Sequence, residues 1–313
     1  MTDPRKNGDL HEPATAPATP WSKSELVRQL RDLGVRSGDM VMPHVSLRAV
    51  GPLADGPQTL VDALIEAVGP TGNILAFVSW RDSPYEQTLG HDAPPAAIAQ
   101  SWPAFDPDHA PAYPGFGAIN EFIRTYPGCR RSAHPDASMA AIGPDAAWLV
   151  APHEMGAAYG PRSPIARFLA HAGKILSIGA GPDAVTALHY AEAVARIEGK
   201  RRVTYSMPLL REGKRVWVTT SDWDSNGILD EYAAPDGPDA VERIARDYLA
   251  RTRVAQGPVG GAQSRLIDAA DIVSFGIEWL EARHAAPAAA ALKPKQRRDG
   301  VVDYSGHIFL PLA

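Results

Sequence analysis

Three short apolar runs, Met40–Met42, Ile74–Val78 and Lys174–Gly179, are separated by segments whose apolar residues recur at helical spacing. Runs of this length bounded by glycine or polar residues are buried strands, and the intervening periodicity is that of helices packed on a sheet. Helices are expected from Ser22 or Ser24 through Leu26, Leu30 and Leu33 to a stop at Gly34, and from Gln58 through Ala67 to Gly69-Pro70. Ala118–Tyr126, Ile165–Ala172, Val185–Ile197, Val241–Arg251 and Ile272–Arg283 carry the same helical pattern. Ser138–Ile142 reads as a further strand. Val203–Leu209 and Arg215–Thr220 read as adjacent strands joined by Arg211-Glu212-Gly213. Alternating strands and helices, with some strands adjacent in sequence, imply an α/β layered fold: a mixed β-sheet flanked by helices.

The ordered domain is expected over residues 21–284. Residues 1–20 lack periodicity and read as a tail, and 285–313 as a linker and arm. Between Arg81 and Gly117 lies a long Pro-, Asp- and His-rich stretch, expected to be either a substrate lid or a plain insertion. Residues 1–20 have no apolar core of a secretory signal, and no run approaches a membrane span. With a single cysteine, Cys129, a cytoplasmic protein with no membrane partner is expected. The charge of −5, from 31 basic and 36 acidic residues, argues against a nucleic-acid partner.

Four regions hold residues suited to chemistry. His189 and Glu192 sit three apart at the start of a helix that follows an apolar strand. Ligands bind at that end of α/β sheets, and the helix N-terminus keeps an imidazole neutral and basic. The same His could be a structural one, and H-x-x-E alone does not make a metal site. Asp222, Asp224, Asp230 and Glu231 gather within ten residues, a set that either projects charge toward a polycationic ligand or forms a solvated turn. Calcium-loop spacing fails there, because the twelfth position is Ala233. His44–Gly51 reads as a loop whose amides, with Ser46 and Arg48, could hold a phosphate or a carbonyl oxygen, and Arg130-Arg131 is equally suited to phosphate. Two arginines beside Cys129 are a setting that lowers a thiol pKa, which makes an acyl-cysteine route conceivable.

Taken together, GDMVMPHVSLRAVG (38–51), SWRDSPYEQTL (79–89), RRSAHPDASMAAIG (130–143), VTALHYAEAVA (185–195) and SDWDSNGILD (221–230) resemble the antibiotic N-acetyltransferase family of aminoglycoside 3-N-acetyltransferases. The resemblance spans about residues 22–284. It implies the fold of that family, unrelated to GNAT enzymes, and acetylation of the 3-amino group of 2-deoxystreptamine aminoglycosides by acetyl-CoA, without a metal. Oligomeric state is left as monomer or homodimer. By resemblance the essential His maps to His189 and its acidic partner region to Asp222 and Asp224; the carboxylate that holds His189 is expected to be Asp222 or, from helical spacing, Glu192. Val45, Ser46 and Leu47, with Arg131, Ser132 and His134, map to the acetyl-CoA site. Asp82, Tyr85, Glu86, Asp224, Asp230 and Glu242 are expected to receive the ammonium groups of the drug. The chain departs from the family pattern at Val45, where alanine or serine is usual, and at Trp223, where tyrosine is common. Acetylation of a different amine, non-catalytic drug binding and chelator-sensitive hydrolysis are the competing functions.

Overall fold

The computed structural model describes residues 19–224, 227–229 and 237–285. In chain order the elements begin with α1 (Lys23–Leu33), β1 (Met40–Val45), α2 (Leu47–Val50), α3 (Pro57–Val68) and β2 (Asn73–Phe77). There follow α4 (Tyr85–Thr88), α5 (Ala96–Ser101), α6 (Ile119–Arg124), β3 (Arg130–Arg131), β4 (Met139–Ile142), α7 (Ala146–Val150) and α8 (Pro164–Ala170). The chain continues with β5 (Lys174–Ile178), α9 (Leu188–Val194), β6 (Arg202–Arg211), β7 (Lys214–Trp223), α10 (Ala240–Arg251), β8 (Ala255–Val259), β9 (Ala262–Asp268) and α11 (Ala269–Ala285).

Seven strands form one mixed sheet in the order β3-β4-β2-β1-β5-β9-β8. The central trio β2-β1-β5 is parallel, and the outer strands join it antiparallel. Alternation along the strands divides two cores. Met40, Met42, Leu75, Met139 and Ile175 face α7 to α11, whereas Val41, Ile74, Ala76, Ala140 and Leu176 face α1, α3 and α6. No described helix is long and apolar enough to cross a membrane.

The expected helices and strands are present with shifted ends. Helix α1 opens with a reciprocal Ser22–Glu25 capping box and closes on Gly34 in the left-handed region. β1 runs past Met42 into the segment expected to be a loop. Ser46 N–H bonds the Ile178 carbonyl at 2.9 Å, so alternation turns position 43, where proline has no N–H, away from β5. The β5 pairing therefore continues to Val45, and His44 and Val45 are strand residues rather than loop. α2 then turns the chain under Gly179, where a Cβ would lie 2.6 Å from the Ala49 methyl. The helix expected over 185–197 is shorter, α9 being preceded by a 3-10 turn at Pro182–Ala184.

β6 and β7 form a separate hairpin whose outer edge is covered by the 81–117 excursion. Phe105 N–H bonds Pro208 O, Leu210 N–H bonds Phe105 O, and Gly90 N–H bonds Thr204 O. The excursion holds α4, α5 and a 3-10 turn, and is otherwise irregular.

Candidate active site

β5 ends at the sheet edge where β1 and β2 also end, and the chain passes through Gly179–Ala187 into α9. His189 is therefore the second residue of a helix at the C-terminal end of the parallel strands, the position expected from sequence. Its Nδ1 lies 2.7 Å from Glu192 Oε2. Glu192 is 2% exposed and His189 is open enough to reach solvent. An ionised carboxylate at Nδ1 fixes the proton there and leaves Nε2 with its lone pair free. Burial lowers the imidazole pKa, but the Glu192 hydrogen bond and charge, with Asp239 behind them, outweigh it, so the net shift is upward. The expected helix-dipole effect is thus overridden by the nearest carboxylate.

Tyr159 walls this histidine, with ring centroids 4.9 Å apart, and its other neighbour is Phe77 at 6.4 Å. Burial among Asp136, Asp222 and Glu192 raises its phenol pKa far above the usual value, so it stays neutral. Tyr159 lies in an irregular segment without periodicity, so nothing in the sequence marks it.

Asp222 does not meet His189, which corrects its assignment as a partner in catalysis. It is fully buried, and its Oδ2 accepts from Gly156 N–H at 3.0 Å and Ala158 N–H at 3.1 Å. The same oxygen lies 3.2 Å from His134 Nε2, and Trp223 N–H donates to Oδ1 at 2.8 Å. His134 Nδ1 accepts from Ala137 N–H at 2.9 Å, so its proton is on Nε2 and points at Asp222. Desolvation pushes the Asp222 pKa up, yet His134 and the amides prevail and hold it below the usual range.

The other expected acetyl-CoA residues on this strand and turn are also internal. Ser132 and His134 are each 1% exposed. Ser132 Oγ accepts from Met139 N–H and donates to His153 Nδ1, both at 2.9 Å. Arg131 spends its guanidinium on the carbonyls of Ser79 and Ala110, on Ser138 Oγ, and on the face of Phe105. These three side chains fasten the excursion and the site wall instead of presenting cations or donors to a phosphate. Cys129 gives no support to an acyl-cysteine route. Burial outweighs the neighbouring arginines and lifts its thiol to about 11, opposite to the direction an activated thiol needs.

Ser46 caps α2 through Oγ to Ala49 N–H at 3.4 Å, and its own N–H is held by Ile178. Val45 and Leu47 flank it, partly buried, at the same end of the sheet. His44 faces the side of the sheet carrying Met42, and its Nε2 has no hydrogen-bond partner among the described residues. Burial takes its pKa down to about 4, so it is a neutral imidazole. In the sequence it stands in the 38–51 motif with no role of its own.

Asp224 is 1% exposed instead of projecting into solvent: Tyr85 O–H donates to it at 2.9 Å, and Arg201 Nε lies 2.6 Å from its other oxygen. Tyr85 in turn packs on Tyr205 at 4.8 Å. Asp82 is paired with Arg81 at 2.9 Å, Glu86 is exposed on α4, and Glu242 is paired with Arg246 in the first turns of α10. Asp230 lies outside the described residues. Among the expected drug-binding carboxylates that are described, then, Asp224 is sealed under Tyr85, Asp82 and Glu86 lie on the 81–117 excursion, and Glu242 lies on α10.

The family model of aminoglycoside 3-N-acetyltransferases matches residues 42–281. Aminoglycoside N(3)-acetyltransferase III of a Salmonella species is 51% identical over 261 residues, covering 83% of this chain and 91% of that protein. The crystal structure of aminoglycoside acetyltransferase AAC(3)-IIb superposes with a TM-score of 0.82 at 48% identity, over 86% of this chain and 99% of the other. AAC-IIIb, solved as a binary complex with CoASH, superposes at 0.80 with 35% identity, over 86% of this chain and all of that one.

Proposed function

The chain belongs to the aminoglycoside 3-N-acetyltransferase family and is an acyltransferase of that kind, and from this we propose that it acetylates the 3-amino group of 2-deoxystreptamine aminoglycosides of the gentamicin, tobramycin and kanamycin class, with acetyl-CoA as donor and His189 as general base. The observation that carries this reading is the 2.7 Å His189–Glu192 pair, with its free Nε2 at the carboxyl end of the parallel strands.

The transfer is direct. The amine nitrogen forms a bond to the thioester carbonyl carbon as His189 Nε2 takes its proton, and the carbonyl electron pair moves to oxygen. The C–S bond then breaks, and CoA leaves as a thiolate that receives the proton from the imidazolium. Glu192 keeps the second ring proton on Nδ1 and stabilises the charged ring. Val45 and Leu47 remain the residues proposed to meet the acyl end of the donor, whereas the Ser46 amide is already engaged. Asp239, whose field reaches His189, joins Asp82, Glu86 and Glu242 as groups proposed to offset the drug's other ammonium charges.

A thiol reagent following CoA release tests this, with gentamicin, apramycin and a polyamine in parallel. Release with gentamicin and a mass gain of one acetyl group on the 3-amine is the expected result. His189→Ala should lower turnover by about 10²–10⁴-fold. Retention of more than a tenth of the activity overturns the base assignment. Release with the polyamine alone redirects the substrate class.

A further inference from the structure

Resting on the proposed role of His189, we infer that Asp222 is a positioning residue for that histidine, acting through the peptide Gly156–Tyr159 and not by contact with either substrate. The loop is held from both sides. Asp222 Oδ2 takes the N–H groups of Gly156 and Ala158, and His153 Nε2–H donates to the Ala158 carbonyl at 3.1 Å. The next residue is Tyr159, whose ring lies against His189. The two holders also brace each other: the His134 ring, bonded to Asp222, stacks on the His153 ring at 5.0 Å. Tyr205 O–H adds a 3.5 Å contact to the same Oδ2.

Every member of this cluster is almost fully buried, so none is available to a ligand: Asp222 is 0%, His134 1%, His153 2% and Tyr205 1% exposed. Buried polar groups that are fully paired fix a single geometry, because any displaced member loses bonds it cannot replace with water. Desolvation holds His153 neutral, which its donor and acceptor bonds require. The consequence is a wall at Tyr159 that restricts the imidazole to the rotamer in which Nδ1 meets Glu192.

A double-mutant cycle between Asp222→Asn and Tyr159→Ala tests the inference, read as kcat and as KM for acetyl-CoA. Both oxygens of Asp222 accept hydrogen bonds, so an amide must turn its NH2 toward at least one donor and the loop must shift. Each single variant is expected to lower kcat by about 10- to 100-fold, the scale of an ångström-level misplacement, with KM changed less than about threefold. The double variant should be no worse than the poorer single one, since both remove the same wall. His153→Gln, which loosens the other side of the loop and leaves Asp222 in place, should show the same non-additivity with Tyr159→Ala. If Asp222→Asn does not fold, the His153 cycle decides the matter. Losses that multiply in the cycle, or variants within twofold of the native kcat, overturn the inference. Failure of the native protein to release CoA with an aminoglycoside would instead strike at the assigned function.

Discussion

Glu192 sets how His189 behaves with pH. Tyr159 packs on that ring, and although burial lowers its pKa, the hydrogen bond and charge of Glu192, with Asp239, raise it above the ordinary 6.5. The base form is needed for transfer, so the acid limb of kcat/KM belongs to this group and lies above an isolated histidine's. Glu192→Gln removes the charge, and the limb should move to lower pH while kcat falls by about 10²-fold or more, because the Nδ1 tautomer is no longer enforced. A pH profile from 5 to 9 checks both. The linkage to stability has a definite sign. A raised folded pKa means the protonated pair stabilises the native state fully below pH 6.5, and that contribution disappears as pH rises through the folded value. Asp222 has the opposite sign: its stabilising effect is present above the ordinary carboxylate pKa and is lost as pH falls through its depressed one. Asp222→Asn should cost about 3 kcal/mol, as expected when one partner of a buried charged network is removed, measured by urea unfolding.

The β6–β7 hairpin turns at Glu212-Gly213, both at positive φ, 49° and 71°. That is the conformation of a two-residue turn matching strand twist, and it favours asparagine over glutamate at its first position. Glu212→Asn should stabilise the hairpin by about 0.5–1 kcal/mol, visible as slower amide exchange in β6 and β7. Ser22→Ala, which deletes the capping box of α1, should destabilise by about 1 kcal/mol in a thermal melt. Elements with a local signal were legible in the sequence for this reason: the Ser22 cap, the Gly34 stop and the central strands each carry their own physical signature. β8 and β9 were not, since Gly257 and Pro258 sit in the outermost strand, whose pairing comes from its neighbour and not from its own composition. The site divides the same way. His189 and Glu192 share a helical face and could be paired from spacing alone, whereas Asp222 and His134 are 88 residues apart, and only the tertiary fold brings them together.

At the scale of the whole molecule, a charge of −5 would meet, in the proposed aminoglycosides, ligands carrying several ammonium groups. Exposed Glu86 and part-buried Asp82, the latter paired with Arg81, lie on the same excursion, so with the net charge association should be steered by a field that salt screens within about 8–10 Å at ordinary ionic strength. kcat/KM for gentamicin should fall several-fold between 20 and 300 mM salt while kcat changes little, and steady-state kinetics in the two buffers measure it. Acetyl-CoA, an anion, should show no such loss.

Arg131 grips the carbonyls of Ser79 and Ala110 at the two roots of the 81–117 excursion, and backbone bonds from Arg81 N–H to Pro111 O and from Tyr113 N–H to Val78 O close it further. A segment tied at its base is insulated from its own length. Doubling a closed loop costs only about 0.6 kcal/mol of chain entropy, so residues can be gained or lost near 91–104 without disturbing the sheet or the pair on α9. The excursion can therefore change in length independently of the sheet, with the His189–Glu192 pair on α9 left as it stands.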